Sequence, residues 1–240
     1  MTQALEIRGL VKKYKDFEAV ACLDFSVAPG EIFALVGPNG VGKSTTLKMI
    51  ATILTPTSGS VSVFGLDTRR DAHAVRETIS YLPEEAGAYK NLTGREHLDF
   101  MAMVFLKDLA KARAAAAEGE RLSGLGERLG DKIKTYSKGM ARKLLLARAV
   151  MIRPRLAILD EPTSGLDIVN AYEIRKTIKA LAAGGMTFLI SSHNMGEIEF
   201  LSDRIGVINK GRMLACDNPA ALKARFATED LEEVFIKLTQ

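Results

Sequence analysis

Apolar residues come in short, strand-length stretches through the first third of the chain. ALEIRGLVKKY (4–14), FEAVACLDFSV (17–27) and EIFALVG (31–37) are separated by Lys-Asp and Pro-Gly pairs that break them into turns. The last of these feeds a glycine loop and then GKSTTLKMIATIL (42–54), which predicts a helix, and shorter strands are expected at GSVSVFG (59–65) and TISYLP (78–83). From about 86 to 150 the pattern becomes helical: TGREHLDFMAMVFL (93–106), the alanine-rich KARAAAAEGERL (111–122), and YSKGMARKLLLARAV (136–150). Strand-like runs return at RLAILD (155–160), MTFLIS (186–191) and RIGVIN (204–209), with helical stretches between the first two and after Ser192. The closing DLEEVFIKL (230–238) sets Leu231, Val234, Phe235 and Leu238 on one helical face, which predicts docking onto the core.

Strands alternating with helices predict an α/β fold whose parallel sheet is covered on both faces. The helical block then reads as an insertion between two strands of that sheet. This gives a core of residues 1–85 and 151–240 and an inserted helical subdomain of 86–150 within one large unit of 240 residues. With 47% hydrophobic and 26% charged residues, the chain has enough apolar material for a full core, and disorder is excluded. Its formal charge of +4 is mild; it suits an acidic ligand or an anionic membrane surface, and no basic block marks a nucleic-acid arm. Cys22 and Cys216 read as buried small apolar residues of a protein kept in a reducing compartment. The charged opening MTQALEIRGL is unlike a secretory leader, and FMAMVFL (100–106) is far short of the roughly 18 residues of a membrane-spanning helix.

GPNGVGKST (37–45) satisfies G-x-x-x-x-G-K-[ST] and stands after an apolar strand and before a helix, where a phosphate loop must stand. Glycine lets the backbone curl so that successive N–H groups point at phosphate oxygens, and the helix start adds its positive dipole end. Lys43 would bridge the terminal phosphates of a nucleotide and Ser44 would ligate Mg²⁺. LAILDEP (156–162) supplies the acidic partner: a buried strand holds Asp160 toward the water shell of the cation. Glu161, the next residue, points elsewhere and could polarise the attacking water.

YSKGM (136–140) by itself is an ordinary capped helix start. Taken in order with the glycine loop, YLPEE (81–85), LAILDEP, SGLD (164–167) and SSHNM (191–195), it makes essentially the whole chain resemble the ATPase subunit of ABC transporters. The resemblance implies a P-loop NTPase core with a parallel sheet, N-terminal antiparallel β strands and the inserted helical subdomain. It implies ATP and Mg²⁺ as ligands, with Gly37, Asn39, Gly40, Gly42, Lys43, Ser44 and Thr45 contacting the nucleotide and Tyr14 stacking on adenine. Ser137 and Gly139 would bind the γ-phosphate of ATP held by a second subunit, so that two phosphate-facing helix ends serve different nucleotides across a head-to-tail dimer. Asp167 would lie near the partner's glycine loop, and His193 would hold the γ-phosphate and attacking water. His73 and His97 stay structural.

Three positions depart from the family pattern: Lys138 replaces a glycine, Met140 a glutamine, and Glu84 the glutamine that contacts Mg²⁺. A carboxylate at 84 still offers oxygen to a hard cation but adds negative charge beside Asp160 and Glu161. The resemblance further implies a motor at the cytoplasmic face of the membrane, a homodimer or a pair with a related ATPase subunit, driving separate membrane permease subunits. YLPEE, YSKGM and DLEEVFIKL look most like the ABC-2 exporter subfamily. The alternative, a soluble ABC-type ATPase acting on nucleic acid or ribosomes, usually carries a long heptad insertion or a second cassette, and neither is present. No nucleic-acid partner is expected.

Overall fold

In a computed structural model, which describes residues 2–239, β1 (Leu5–Tyr14) and β2 (Phe17–Val27) pair antiparallel. The all-apolar β3 (Ile32–Val36) then delivers the chain to α1 (Lys43–Ile50). β4 (Ser58–Val63) and β5 (Leu66–Asp67) extend the first sheet in the order β2-β1-β4-β5. α2 (Ala72–Thr78) and β6 (Ile79–Leu82) lead into three helices, α3 (Gly94–Leu106), α4 (Leu109–Ser123) and α5 (Lys138–Val150). The chain returns through β7 (Leu156–Asp160), α6 (Ile168–Ala183), β8 (Thr187–Ser192), α7 (Met195–Leu201), β9 (Arg204–Asn209), β10 (Arg212–Asp217), α8 (Pro219–Arg225) and α9 (Leu231–Thr239).

The second sheet has the order β10-β9-β3-β8-β7-β6, parallel apart from the antiparallel edge strand β10. Every residue of β3, β7 and β8 is buried, as expected of strands covered on both faces. Leu35, Leu47, Ile158 and Leu189 fill the side shared with the first sheet, and Phe25 stacks on Phe33 at 5.1 Å between the sheets. Leu146, Val150, Ile174, Ile178 and Phe188 fill the other side. α3, α4 and α5 close a separate cluster around Leu98, Ala112, Ala116 and Leu144. The last helix buries Leu231 and Val234, with Phe235 and Leu238 packed beside them, as its apolar stripe predicts.

Register positions the functional site. Val36 pairs with Ser192 and Asp160 with Ser191, so β3, β7 and β8 end flush at one edge of the sheet. In parallel α/β sheets, ligands bind outside these carboxyl ends.

Two local expectations change. The helix expected over 42–54 stops at Ile50: Thr52 turns to φ 61° and the N–H groups of Ile53 and Leu54 both close on the Lys48 carbonyl. Pro56 disfavours helical backbone at Thr55, so the chain must leave the helix ahead of it. Cys22 is exposed rather than buried, because it sits in a bulge with φ 62° between the Leu10–Leu23 and Val11–Ala21 pairs, which turns its side chain outward. Cys216 is half-buried beside the Arg204 guanidinium, 3.3 Å away.

His97 on α3 is 1% exposed, and neither ring nitrogen has a hydrogen-bond partner. Burial, and secondarily the positive charge of Arg148, lower its pKa from 6.5 to about 4. The folded state therefore binds fewer protons than the unfolded chain between these values. Stability from this residue is complete above pH about 6.5 and is lost as the pH falls toward about 4, by roughly 3 kcal/mol across the window. Urea unfolding of wild type and His97→Phe at pH 7 and pH 4.5 should show a smaller acid loss in the variant; equal losses would place the acid sensitivity elsewhere.

Candidate active site

α1 starts without a side-chain cap and without an acidic residue in its first turn. Its free N–H groups and dipole are therefore directed at the glycine loop. Two glycines are required by close approach. A Cβ at Gly42 (φ +105°) would lie 2.3 Å from the Ala19 carbonyl oxygen, and one at Gly37 would lie 2.3 Å from that of Ile208. The loop is thus pressed between β2 and β9, and Thr46 fastens its end by donating to the Gly42 carbonyl at 2.9 Å.

Lys43 is 5% exposed and donates to the carbonyls of Gly37 (2.6 Å) and Pro38 (3.1 Å). Its Nζ is 3.8 Å from Glu161 Oε1. Burial lowers its pKa, against the opposing charges of Glu161, Asp160 and Glu84.

Asp160 accepts from Ser191 Oγ at 2.5 Å and from the Tyr81 hydroxyl at 3.5 Å. Glu161 follows in a left-handed conformation, φ 48°, secured by its N–H donating to the carbonyl and the hydroxyl of Ser191, both at 3.1 Å. That conformation costs energy for a residue with a Cβ. It sends the Glu161 side chain away from the direction taken by Asp160. Glu161 Oε1 lies 2.9 Å from His193 Nδ1, yet no donor is aligned on it, and it is a buried oxygen without a hydrogen bond. Such an oxygen is available to accept a proton.

A cleft of about 290 Å³ gathers Tyr14, Asn39, Gly40, Gly42, Lys43, Ser44, Thr45, Glu84 and Glu161. Phe17, not singled out as a site residue in the sequence reading, shares the wall with Tyr14 and is 61% exposed. Asp160 is buried and does not line the cleft, though its charge acts on Lys43, and His193 touches Glu161. The oxygens of Ser44, Asp160 and Glu84 are a hard donor set of the kind Mg²⁺ takes with part of its water shell retained. Glu84 also accepts from Ser164 Oγ at 3.3 Å.

Ser137, Gly139 and Asp167 lie outside this cleft. Ser137 caps α5, its Oγ accepting from Met140 N at 3.2 Å, which leaves its own proton free to donate. Gly139 is buried against α6, where a Cβ would lie 2.5 Å from Asn170 Nδ2. Asp167 caps α6 by accepting from Asn170 N and Nδ2, which holds its carboxyl below the usual range.

Sequence reading missed Arg142. This buried side chain on α5 donates Nε to the Pro162 carbonyl, Nη1 to those of Pro83 and Glu84, and Nη2 to those of Asp160 and Glu161, all at 2.9–3.0 Å. All its partners are backbone oxygens, which leave no mark in a sequence.

Comparisons with known proteins identify the family and the fold. The family described as "ABC transporter" matches residues 20–164. The daunorubicin/doxorubicin resistance ATP-binding protein DrrA of Streptomyces peucetius is 39% identical over 230 residues, covering 96% of this chain and 70% of the relative. The linearmycin resistance ATP-binding protein LnrL of Bacillus subtilis is 37% identical, covering 97% and 75%. A solved structure described as an ATP binding subunit of an ABC transporter superposes with a TM-score of 0.88 at 29% identity, over 99% of this chain and 100% of that one.

Replacing Arg142 should be costly, because buried carbonyls lose their donors together. Arg142→Ala is expected to lower stability by about 3 kcal/mol or more in urea unfolding. Arg142→Lys should restore less than half of that, since one ammonium cannot reach five oxygens. A loss below about 1 kcal/mol for the alanine variant would show that water replaces the guanidinium at little cost.

Proposed function

Since the chain belongs to the ABC transporter family of ATP-binding proteins, we propose that it is the ATP-hydrolysing motor subunit of an exporter, working as a head-to-tail pair on separate membrane subunits. The observation that carries this reading is the meeting of Lys43, Glu161 and His193 at the flush ends of β3, β7 and β8.

ATP with Mg²⁺ supplies the phosphoryl group and the cation that offsets its charge. Lys43 exchanges the carbonyls of Gly37 and Pro38 for phosphate oxygens, while the α1 N–H groups cradle the chain of phosphates. Ser44, Glu84 and Asp160, the last oriented by Ser191, are the residues that would hold the cation, which would offset the charge on the phosphates. Glu161 Oε1 takes the proton of the attacking water, and His193, on its open side, steadies that water and the γ-phosphate. Tyr14 offers a face to the base. Ser137 and Gly139 present a hydroxyl and an N–H group to the nucleotide of a second copy.

Export is supported by the two relatives, both named for resistance to a compound. No helix among the described residues is long and apolar enough to cross a membrane, so in this reading the membrane path belongs to other chains and the subunit sits at the cytoplasmic face. The surface suited to those chains is a groove of about 700 Å³ between β6 and the helical block, lined by Tyr81, Phe105, Leu106 and Ile152 among basic residues that include Arg76 and Arg148. Tyr81 joins the two sites: it lines the groove, and its hydroxyl is 3.5 Å from Asp160.

Glu161→Gln should bind ATP normally and lose turnover by about 100-fold or more, because an amide cannot accept the water's proton. Normal turnover would remove Glu161 as the base. With ATP and Mg²⁺, light scattering on this variant should show a shift from monomer to dimer that ADP does not produce; a persistent monomer would remove the closed pair as a state of the isolated subunit. Lys43→Ala should abolish ATP binding in equilibrium dialysis, and unchanged affinity would remove the phosphate-loop assignment.

A further inference from the structure

Asn194 caps α7, its Oδ1 accepting from the Glu197 N–H at 3.0 Å. A glutamate at this third helical position ordinarily stays at the surface and reaches back to the cap. Glu197 instead turns inward and is 3% exposed. Oε1 accepts from Thr163 Oγ1 at 2.5 Å and Oε2 from Ser192 Oγ at 2.9 Å. Ser192 Oγ in turn accepts from Asn194 N at 3.1 Å. One carboxylate oxygen thus holds Ser192, which precedes His193 and itself accepts from Asn194 N, and the other holds Thr163 in the loop that follows Glu161.

The arrangement is expensive. Glu197 makes no ion pair within 4.0 Å among the described residues, and burial, helped by the charge of Glu161, raises its pKa against the two hydroxyl donors and the more distant charge of Arg175. A buried carboxylate without a paired cation is a poor source of stability, and an apolar side chain of similar size would fill the space at lower cost. What it supplies is geometry. Thr163 lies two residues beyond Glu161, and Ser192 directly precedes His193.

We propose that Glu197 is a positioning residue for hydrolysis: it holds the loop after Glu161 and the turn carrying His193 as one unit, and so sets the 2.9 Å approach of His193 Nδ1 to Glu161 Oε1. The kinetic side of this inference rests on the ATPase reading above; the geometric side does not. The loop and the turn come from different strands, β7 and β8, and among the described residues Glu197 is the side chain that bonds both. Arg142 and Ser191 hold the backbone at Asp160, Glu161 and Pro162. What Glu197 adds is the tie from Thr163 to Ser192, and its loss loosens that link while the nucleotide cleft, built from other residues, stays intact.

The test uses the full chain and Glu197→Gln, which keeps the shape but leaves one position unable to accept a hydroxyl proton. Thr163→Val and Ser192→Ala remove one arm each and keep the test open should the glutamine variant fold poorly. In steady-state ATPase assays, Glu197→Gln should lower kcat about tenfold or more with KM within about twofold. Adding Thr163→Val to it should cost little more, because the two act as a unit. Nucleotide-free ¹⁵N-histidine NMR is tractable because the chain has 3 histidines. The His193 signal should shift or broaden in all three single variants, while those of His73 and His97 stay in place. An unmoved His193 signal would overturn the proposal, as would full kcat in a folded Glu197→Gln. Movement of His193 and His97 together would also overturn it, by showing general loosening in place of a local tie. Absent turnover in the wild type would fall on the ATPase reading, leaving the histidine spectrum to decide the geometry.

Discussion

The structure depends on one guanidinium. Arg142 has five N–H donors, and each finds a backbone carbonyl, at Pro83, Glu84, Asp160, Glu161 and Pro162. Those carbonyls belong to the segment leaving β6 and the segment leaving β7, which are the two that carry the acidic residues of the cleft. Arg142 itself belongs to α5, whose N-terminus is the Ser137–Gly139 turn. The helical block is therefore anchored to the backbone of the residues that do the chemistry, and cannot shift without pulling on them. Burial lowers the pKa of Arg142, and the surrounding Asp160 and Glu84 charges oppose that shift. A guanidinium stays charged through such a perturbation, where a lysine would be prone to neutralise.

Around this anchor, geometry separates roles that sequence places side by side. Asp160 and Glu161 are adjacent carboxylates at the end of one strand. Ordinary β alternation would send them to opposite faces of the sheet. The left-handed backbone at Glu161 bends the chain so that its carboxylate meets Lys43 and His193, while Asp160 stays under Ser191 and Tyr81. One carboxylate has a donor on each oxygen, with acceptor sites left for a cation's water. The other has an oxygen without a donor and is suited to take a proton. The strain at residue 161 is the local cost of that division.

Much of this was legible in the sequence because it is local. The glycine loop follows from residue types at fixed spacing, and the buried strands from unbroken apolar runs. Asp160 and Glu161 stand out as charges at the end of such a run. The order of motifs along the chain then carried the family, and with it the α/β fold. What escaped reading depends on contacts across the chain. Arg142 looked like one basic residue of an amphipathic helix because its partners are carbonyls 18 to 59 positions away. Nothing in the sequence marks Glu197, one of whose partners is 34 positions away. Cys22 sits in a strand-like run, and only the offset pairing of β1 with β2 turns it to solvent. Phe17 is exposed, and exposure of a single aromatic carries no signal until its neighbour Tyr14 is seen on the same wall.

The departures from the family pattern make physical sense when set against the packing. Position 138 is the exposed first residue of α5, and the flexible end of Lys138 lies over Gly165, beside a cavity it lines with Glu84 and Ser164. Position 139 is different, because Asn170 occupies the space a Cβ would need. One glycine of the signature can be replaced without cost to this packing; the other cannot. Glu84 follows the same logic in charge. It adds a third carboxylate beside Asp160 and Glu161, and they face two buried cations, Lys43 and Arg142. Arg142 is fully committed to carbonyls, so the cleft is left short of positive charge on the side where Ser44 and Glu84 present oxygen. A divalent cation arriving with a nucleotide meets that shortfall, and a carboxylate at position 84 makes it larger than an uncharged amide would.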